Sequence, residues 1–539
     1  MGCCNPCKSI TVGLLGCRWK ASSRSTGKTK LIDWCFFALL VVAFILNLIV
    51  MYSWIITKND EARFNWGYWD KTGREEDMYS IILVLSIIFF VLTSIALTLA
   101  VIHFIFKQQL YIHWANKHYP KRSRSWSTKF RNEQVLIFIL FLYGLLLMGL
   151  IEFFYSETWT LLGLSMKFLA PFFQICAVIV ITFLTWLMAG CFALLWYKDR
   201  TVSCIIATTL YFGLLMLLYL SPLAISSPCV LDHDATPRKP LLLGHRGAER
   251  VAPENTIASF VIAIEECQVF AIESDCKISY DGVPFMVHDD ILTRVTNVAG
   301  VFPQQEGKKS SSFMISELKQ LDAGSWFLED DPFGTTSSLS AERVRSYRNQ
   351  TIPTLAEVLE LTNKYNLSFM FDARPPPEGH PYDQTWFQSI RDAVEDAGIS
   401  ADDFYYEFKP EGDAVVTILR NDHRAHEEVE NYYVGYDFKK IKSNTDANIW
   451  TNTWSVNLDW MLSLYWCASA PSITTNDCHG AKRLKKPLWM LTPNQYLTIW
   501  LIFDCVSAFW VIIIFIVQFR RGRNKISGAQ KREAEMTTM

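Results

Sequence analysis

The sequence has few charged residues and almost no net charge. Only 19% of its 539 residues are charged, against about 25% in a typical soluble protein, and 51 Lys and Arg nearly balance 53 Asp and Glu. Such a chain lacks the basic surface that nucleic-acid binding needs, so we expect no nucleic-acid partner. Its 14 cysteines are too sparse for a disulfide scaffold. Hydrophobic residues make up 50% of the chain, which excludes a disordered, a fibrous and an ordinary soluble protein.

Six apolar stretches are long enough to cross a bilayer. Spanning takes about 20 apolar residues, because lipid offers no hydrogen-bond partners to free backbone groups. The first stretch is too long for a cleaved signal peptide, and no small-residue cleavage site follows it. The sequence therefore predicts six transmembrane helices. The stretches are 33–56, 78–106, 135–155, 168–197, 202–225 and 496–519.

Basic residues in the short loops predict the orientation of these helices. Lys and Arg are frequent before the first stretch and between the second and third, and fewer in the loops of opposite parity, where 58–77 has four basic against six acidic residues and 156–167 has only Lys167. Because basic loops stay in the cytosol, we expect cytosolic tails at 1–32 and 520–539, five helices in 33–225, an extracellular domain at 226–495 and a closing helix at 496–519. The plasma membrane is the expected location.

Two features of the large insert agree with an extracellular location. Asn349 and Asn366 each begin an acceptor sequence for N-linked glycans. The insert also contains five cysteines, and the sequence leaves open whether they form one or two disulfides or remain buried thiols. These are Cys229, Cys267, Cys276, Cys467 and Cys478.

The insert has the size and the pattern of a βα barrel. Its core, residues 241–487, has about 250 residues, the usual length of an eightfold barrel. Short apolar runs alternate with helical periodicity, as over 257–264, where Asn255 or Thr256 is the candidate N-cap. The polar stretch 291–350 fits this pattern poorly, and we predict an insertion beside the site.

Polar side chains follow the apolar runs at their carboxyl ends. In a βα barrel these ends meet at one mouth, where active sites are built. Residues that lie far apart in the sequence are therefore expected to share one pocket. The polar residues are His245, Arg246, Glu273, Asp275, His288, Asp289, Asp372, Arg374, Trp454, Asn457 and Asp477.

The carboxylates in this set indicate a cation site. Glu273 and Asp275 alternate on an extended run, so both side chains point to one face and repel each other unless a positive group lies between them. A hard divalent cation, Ca²⁺ or Mg²⁺, prefers such oxygen ligands, and Asp372 is a candidate third ligand. Salt bridges to Arg246 or Arg374 are the alternative.

The histidines and arginines indicate chemistry at phosphorus. Imidazole titrates near neutrality, so His245 and His288 suit a general acid and base pair. Arg246 and Arg374 have guanidinium forks that suit phosphate oxygens. Together with a cation, this set suits the cleavage of a phosphodiester.

The order of these residues resembles the signature of the glycerophosphodiester phosphodiesterase family over about 240–480. The whole chain resembles the multipass animal branch, and most of all its glycerophosphoinositol inositolphosphodiesterase type. The matching segments are His245-Arg246-Gly247, Pro253-Glu254-Asn255-Thr256, Glu273-x-Asp275, Asp281-Gly282-Val283-Pro284, His288-Asp289, Arg294 with Thr296 and Asn297, Trp454-Ser455-Val456-Asn457 and Thr474-Thr475-Asn476-Asp477.

The resemblance implies a TIM barrel that hydrolyses glycerophosphodiesters, such as glycerophosphoinositol, with His245 and His288 as the acid and base. Where most relatives have a Glu-x-Lys motif, this chain has Asp372 and Arg374, so the third metal ligand is one methylene shorter. The implied metal ligands are Glu273, Asp275 and Asp372, and the implied phosphate and substrate contacts are Arg246, Arg374, Trp454 and Asn457.

Other functions stay open on the sequence alone. The barrel is tethered at both ends near the outer leaflet, so lipid head groups and glycolipid anchors are candidate substrates beside soluble glycerophosphodiesters. The shorter Asp372 also allows a catalytically weak barrel that binds a phospho-ligand and signals. Glu152 and Asp504 lie within predicted helices and raise a transporter hypothesis, which is weaker because no basic partner accompanies them.

Overall fold

The structure is a computed structural model. Most of the predicted amino-terminal tail lies outside the described residues, as does Asn349, one of the two predicted glycosylation sites. The model describes residues 17–21, 27–56, 77–106, 108–112, 126–154, 157–196, 201–348, 350–400, 403–408, 414–418, 429–433 and 438–537.

A long helix covers most or all of each of the six apolar stretches. A short antiparallel sheet consists of β1 (Cys17–Ala21), which precedes the first helix, and β2 (Gln108–Ile112), which follows the second. The helices are α1 (Gly27–Ile56), α2 (Asp77–Phe106), α3 (Trp126–Phe154), α4 (Glu157–Trp196), α5 (Thr201–Leu220) and α16 (Pro493–Thr537).

Four of these helices, among the residues that the structure describes, are long and apolar enough to span a membrane. They expose apolar side chains, with Phe183 at 77% and Leu217 at 69%, which is typical of contact with lipid. The described apolar parts of α2 and α3, Ile82–Thr98 and Ile137–Ile151, are shorter. The spanning segments are Phe37–Ile56, Leu162–Gly190, Cys204–Leu223 and Pro493–Asn524.

Side-chain hydrogen bonds connect α4, α5 and α16. The hydroxyl of Ser507 lies 2.5 Å from that of Thr182 and 2.6 Å from that of Tyr219. Asp504 accepts a hydrogen bond of 2.6 Å from Trp500 of its own helix. The contact with Trp500 gives Asp504 a local packing role, and the side chain of Glu152 lies outside the described part of the chain.

The chain between α5 and α16 forms a domain around one large sheet. Its central strands β9, β10, β11, β3, β4 and β6 are parallel neighbours in that order. The side chains of β3, β4, β6, β10 and β11 are nearly all buried, because helices and loops cover both faces of a parallel sheet. The strands are β3 (Leu241–Gly244), β4 (Ala271–Ile278), β5 (Pro284–Met286), β6 (Ser368–Ala373), β7 (Phe404–Phe408), β8 (Ala414–Ile418), β9 (Val429–Tyr433), β10 (Trp450–Trp454) and β11 (Ser472–Thr475).

The sheet is TIM-barrel-like but differs from the predicted eightfold parallel barrel. Strand β8 runs antiparallel to β6 and to β7, and no pairing joins β7 to β9 among the described residues. The predicted strand at 283–287 is also different: β5 is a short strand that folds back antiparallel onto β4. The alternation of apolar runs indicates strands but does not give their direction.

Ten helices of the described chain surround this sheet. Thr256 is the N-cap of α6, where its hydroxyl accepts from the backbone N–H of Ser259. The predicted insertion 291–350 packs against the core through Leu292, Phe313 and Tyr347, which are fully buried. The helices are α6 (Ile257–Ile262), α7 (Val298–Val301), α8 (Ile315–Leu318), α9 (Ser325–Asp330), α10 (Ala341–Tyr347), α11 (Leu355–Tyr365), α12 (Trp386–Asp396), α13 (Phe438–Asp446), α14 (Asp459–Cys467) and α15 (Cys478–Arg483).

Two disulfides connect the two ends of the domain. Cys229 is bonded to Cys467, and Cys267 to Cys478, across 238 and 211 positions. Cys276 remains a buried thiol. The structure therefore pairs four of the five cysteines whose state the sequence leaves open.

Removal of the second disulfide is expected to destabilise the domain. A crosslink over so long a loop restricts the unfolded chain, so replacing Cys267 and Cys478 by Ser should lower the free energy of unfolding by about 2–5 kcal/mol. Thermal melting of the full chain checks this, with Cys505→Ser, an exposed thiol, as the control. Peptide mapping without reduction should recover both bonded pairs, and free thiols at Cys267 and Cys478 would contradict the pairing.

Candidate active site

The register of two strands brings three carboxylates together. Asp275 of β4 lies directly opposite Asp372 of β6, and neighbouring strands are about 4.8 Å apart. Glu273 precedes Asp275 by two residues and shares its face. These carboxylates line one cavity, together with His245, Arg246, His288, Arg374, Trp454 and Thr474. The cavity therefore unites nine side chains from distant parts of the chain.

His245 directly follows β3 and is buried, with 8% of its surface exposed. Its Nδ1 lies 2.7 Å from Oδ1 of Asn476 and 3.2 Å from Oε1 of Glu249. A carboxylate only accepts hydrogen bonds, so Nδ1 holds the proton. Nε2 lies on the side of Glu273, 3.8 Å from its Oε2.

His288 reaches the cavity by an unexpected route. The β5 strand runs back along β4, and the backbone N–H of Val287 donates to the carbonyl of Asp275. The next residue, His288, is thereby placed level with the carboxylates. Its Nδ1 lies 2.9 Å from Oδ1 of Asp289, so both histidines have the same arrangement, with Nδ1 held by a carboxylate.

Both predicted arginines contact carboxylates. Nε of Arg246 lies 3.2 Å from Asp275, and Nη1 donates to Glu254 at 3.0 Å. Nη2 of Arg374 lies 3.4 Å from Asp275 and Nη1 donates to the carbonyl of His288 at 3.2 Å. The salt bridges expected as the alternative to a cation are therefore present.

A buried ion-pair network supports the site from behind. Glu254 accepts from Arg246 and also from both terminal nitrogens of Arg294, at 2.6 and 2.8 Å. Arg294 also donates two hydrogen bonds to the carboxylate of Asp289, the residue that contacts His288. Sequence reasoning missed Glu249 and the roles of Glu254 and Asn476; their only signal was membership of the matching segments or proximity to His245.

The charges of the cavity fit a divalent cation. Burial, with the charges of Asp275 and Asp372, raises the pKa of Glu273 to about 8, although neighbouring His245 lowers it. Crowded carboxylates resist ionisation together unless a cation lies among them. The donor set of Glu273, Asp275 and Asp372 consists of hard oxygens, which Ca²⁺ and Mg²⁺ prefer.

The electrostatics of His245 follow from its two acidic neighbours. Burial lowers its pKa, but Glu249 and Glu273 outweigh burial and raise the pKa to about 10. Burial raises the pKa of Asp275, but the charges of His288, Arg246 and Arg374 outweigh burial, so that this pKa lies well below its usual range.

The last two predicted contact residues lie in different places. Trp454 ends β10 and lines the cavity beside Thr474. Asn457 lies outside the cavity lining, on a neighbouring groove. Its Oδ1 accepts from the backbone N–H of Asn476 at 2.8 Å, so it supports the residue that holds His245.

Comparisons with known proteins place this chain among glycerophosphodiester phosphodiesterases. The model of the glycerophosphoryl diester phosphodiesterase family matches residues 245–408. Mouse glycerophosphodiester phosphodiesterase domain-containing protein 5 is 33% identical over 95% of this chain and 83% of its own length. Human glycerophosphoinositol inositolphosphodiesterase GDPD2 is 33% identical over 96% of this chain and 94% of its own.

Among solved structures, a glycerophosphodiester phosphodiesterase from Agrobacterium tumefaciens is 20% identical, covers 45% of this chain and 99% of its own, and has a TM-score of 0.33. The curated relatives, by contrast, match nearly the whole chain, including its apolar helices. The chain belongs to the glycerophosphodiester phosphodiesterase family.

Proposed function

We propose that the chain is a membrane-bound ectoenzyme that hydrolyses a glycerophosphodiester, with His245 and His288 as the acid and base. The observation that carries this proposal is the shared arrangement of the two histidines. Each has its Nδ1 held by a carboxylate and lines the cavity that contains the three acidic side chains. The Nε2 atoms are therefore the ones that face a substrate.

The two imidazoles divide the proton transfers. One Nε2 takes a proton from the attacking water, and the other Nε2–H donates its proton to the glycerol oxygen that leaves phosphorus. The P–O bond to the attacker forms as the P–O bond to the leaving group breaks. Glu249 and Asp289 stabilise the protonated ring in either role, because each lies within hydrogen-bond distance of a Nδ1.

Glu273, Asp275 and Asp372 would hold a divalent cation, either Ca²⁺ or Mg²⁺. When bound, such a cation offsets negative charge on the non-bridging oxygens of the phosphate. Arg246 and Arg374 line the same cavity, and their guanidinium groups would add hydrogen bonds to those oxygens.

Glycerophosphoinositol is the substrate that we propose, with inositol phosphate and glycerol as products. A relative similar over nearly the whole chain is named a glycerophosphoinositol inositolphosphodiesterase. The domain lies between α5, which ends at Leu220, and α16, which begins at Pro493. This tether keeps the site near a membrane, so lipid head groups and glycolipid anchors are further substrates to test.

The domain is proposed to lie outside the cell at the plasma membrane, with six spans and both tails in the cytosol. Two disulfides support this placement, since they persist in oxidising compartments. Asn366 is exposed at the end of α11, where a glycan has room. The distribution of basic residues in the loops points the same way.

Alanine at His245 or at His288 is expected to lower kcat/KM for glycerophosphoinositol by about 10²–10⁴-fold, the usual contribution of a general acid or base. Product analysis of the purified full chain with Ca²⁺ or Mg²⁺ checks this. His479→Ala is the matched control, because His479 is half-exposed and contacts Glu266 away from the cavity. Full activity in either active-site variant, at normal folding, would refute the assignment.

A further inference from the structure

Lys277 is a buried charged residue of β4 that the mechanism above does not use. It follows Asp275 by two residues, so its side chain leaves the strand on the face of the carboxylates, and only 3% of its surface is exposed. Lysine is almost never so buried unless it is paired, because removing an ammonium group from water is costly. The side chains that line the active-site cavity do not include Lys277, so its burial calls for a reason other than substrate contact.

The partner of Lys277 is the carboxylate of Asp290. Nζ of Lys277 donates to Oδ1 of Asp290, which comes two residues after His288. The hydrogen bond and charge of Lys277, with the charges of Lys309 and Arg374, outweigh burial and hold the pKa of Asp290 below its usual range. The ion pair therefore connects the strand of the carboxylates with the segment that carries His288.

The segment 288–290 belongs to no helix or strand, so contacts with other parts of the chain hold it in place. The carbonyl of His288 accepts from Nη1 of Arg374 at 3.2 Å. The carbonyls of Asp289 and Asp290 accept from the hydroxyl and the backbone N–H of Ser310, at 3.2 and 2.6 Å. Lys277 adds to these a side-chain contact from β4, the strand of Glu273 and Asp275.

Strand pairing explains why the carboxylate of Asp290 is needed at this point. The backbone N–H of Arg374 donates to the carbonyl of Cys276 at 3.0 Å, which continues the pairing of β6 with β4 and brings Lys277 beside Arg374. Like charges on neighbouring strands repel each other. Asp290 offsets this repulsion, so the position of its segment and the position of Lys277 depend on each other.

We infer that Lys277 is a positioning residue, whose ion pair with Asp290 fixes His288 relative to Glu273 and Asp275. A general acid or base must be held at the reacting centre, and a displacement of about 1 Å can lower the rate by about 100-fold. Lys277 acts through Asp290 and makes no contact with the substrate. This inference rests on the function proposed above, because it assigns the placement of a residue that acts there.

Steady-state kinetics of the purified full chain with glycerophosphoinositol test the inference. Lys277→Met and Asp290→Asn should each lower kcat by about 10–100-fold and leave KM within about twofold of the wild type, because the interaction that binds substrate is intact. The double variant should lose no more than the more affected single variant, since both changes remove the same contact. Lys277→Arg keeps the ion pair and should retain most of the activity.

Lys319→Met is the matched control, because the ion pair of Lys319 with Glu357 lies outside the cavity lining. It should leave kcat and KM unchanged. Wild-type kcat in Lys277→Met or in Asp290→Asn would overturn the inference. Losses that add up in the double variant would also overturn it, as would a raised KM at unchanged kcat, which indicates a substrate contact.

Hydrogen exchange measures the position of the segment independently of activity. The backbone N–H of Ser310 donates to the carbonyl of Asp290, so its exchange should be about tenfold faster in Lys277→Met, the effect of losing a hydrogen bond to a charged group. Unchanged exchange would show that the ion pair does not hold the segment. If the wild type hydrolyses nothing, the proposed function fails, while the exchange measurement still decides on the ion pair.

Discussion

Glu273→Gln is expected to lower kcat/KM for glycerophosphodiester hydrolysis by about a thousandfold. The change removes one charge from the carboxylate cluster and preserves the shape of the side chain. The amide oxygen can still accept from the backbone N–H of Arg246, which donates to Glu273 at 2.9 Å. A metal ion contributes several kcal/mol to the transition state, and each 1.36 kcal/mol corresponds to about tenfold in rate.

Calorimetry distinguishes weaker metal binding from misfolding as the cause of this loss. The variant should melt near the wild-type temperature and bind Ca²⁺ and Mg²⁺ much more weakly. Glu266→Gln is the matched control, since Glu266 contacts Arg343 and His479 at the surface. An activity within about threefold of the wild type, which is less than an average hydrogen bond contributes, would exclude Glu273 as a ligand.

Glu254→Gln is expected to destabilise the domain by about 3–5 kcal/mol, the usual effect of removing one partner from a buried ion pair. Burial raises the pKa of Glu254, but Arg294 and Arg246 outweigh it and lower the pKa to about 2, from an ordinary value of 4.5. This carboxylate therefore stabilises the fold above pH 4.5. That contribution disappears as the pH falls towards 2.

Denaturant unfolding at several pH values measures both effects. The wild type should lose part of its stability between pH 4.5 and 2, and Glu254→Gln should lose less over the same interval. Glu395→Gln is the control, because its pair with Arg391 is exposed at 4.0 Å and contributes only about 0.3–0.5 kcal/mol. Equal stability of the two variants at pH 7 would show that the buried network is not stabilising.

The sequence was sufficient to predict the carboxylate cluster. The alternation of Glu273 and Asp275 fixes their common face, and Asp372 ends another apolar run. The structure places it opposite Asp275 through parallel pairing. The rule that strand ends meet at one mouth explains this agreement, because it depends only on the periodicity of apolar residues.

His288 lies at the cavity, but the strand before it differs from the prediction. The sequence predicts a barrel strand over this run, whereas β5 is an antiparallel return along β4. A short apolar run has the same composition in either direction, so strand direction was not available from the sequence. The same limitation explains why the antiparallel pairing of β8 with β6 was not predicted.

The residues that hold the catalytic side chains in place could be identified only from the tertiary structure. Glu254 and Arg294 are 40 positions apart, and Asn476 is 231 positions from His245. Nothing in local spacing identifies such partners. The cysteine pairs are also long-range, and five cysteines allow too many pairings for the sequence to select one.

Cleavage of a P–O bond in the cavity that the histidines and carboxylates line is the central claim. ³¹P NMR of glycerophosphoinositol with the purified full chain and Ca²⁺ or Mg²⁺ measures it. The wild type should convert the diester resonance into a phosphomonoester resonance, and the variant with alanine at both His245 and His288 should leave the diester intact. Conversion by that variant at the wild-type rate, or an intact diester with the wild type and both cations, would contradict the account.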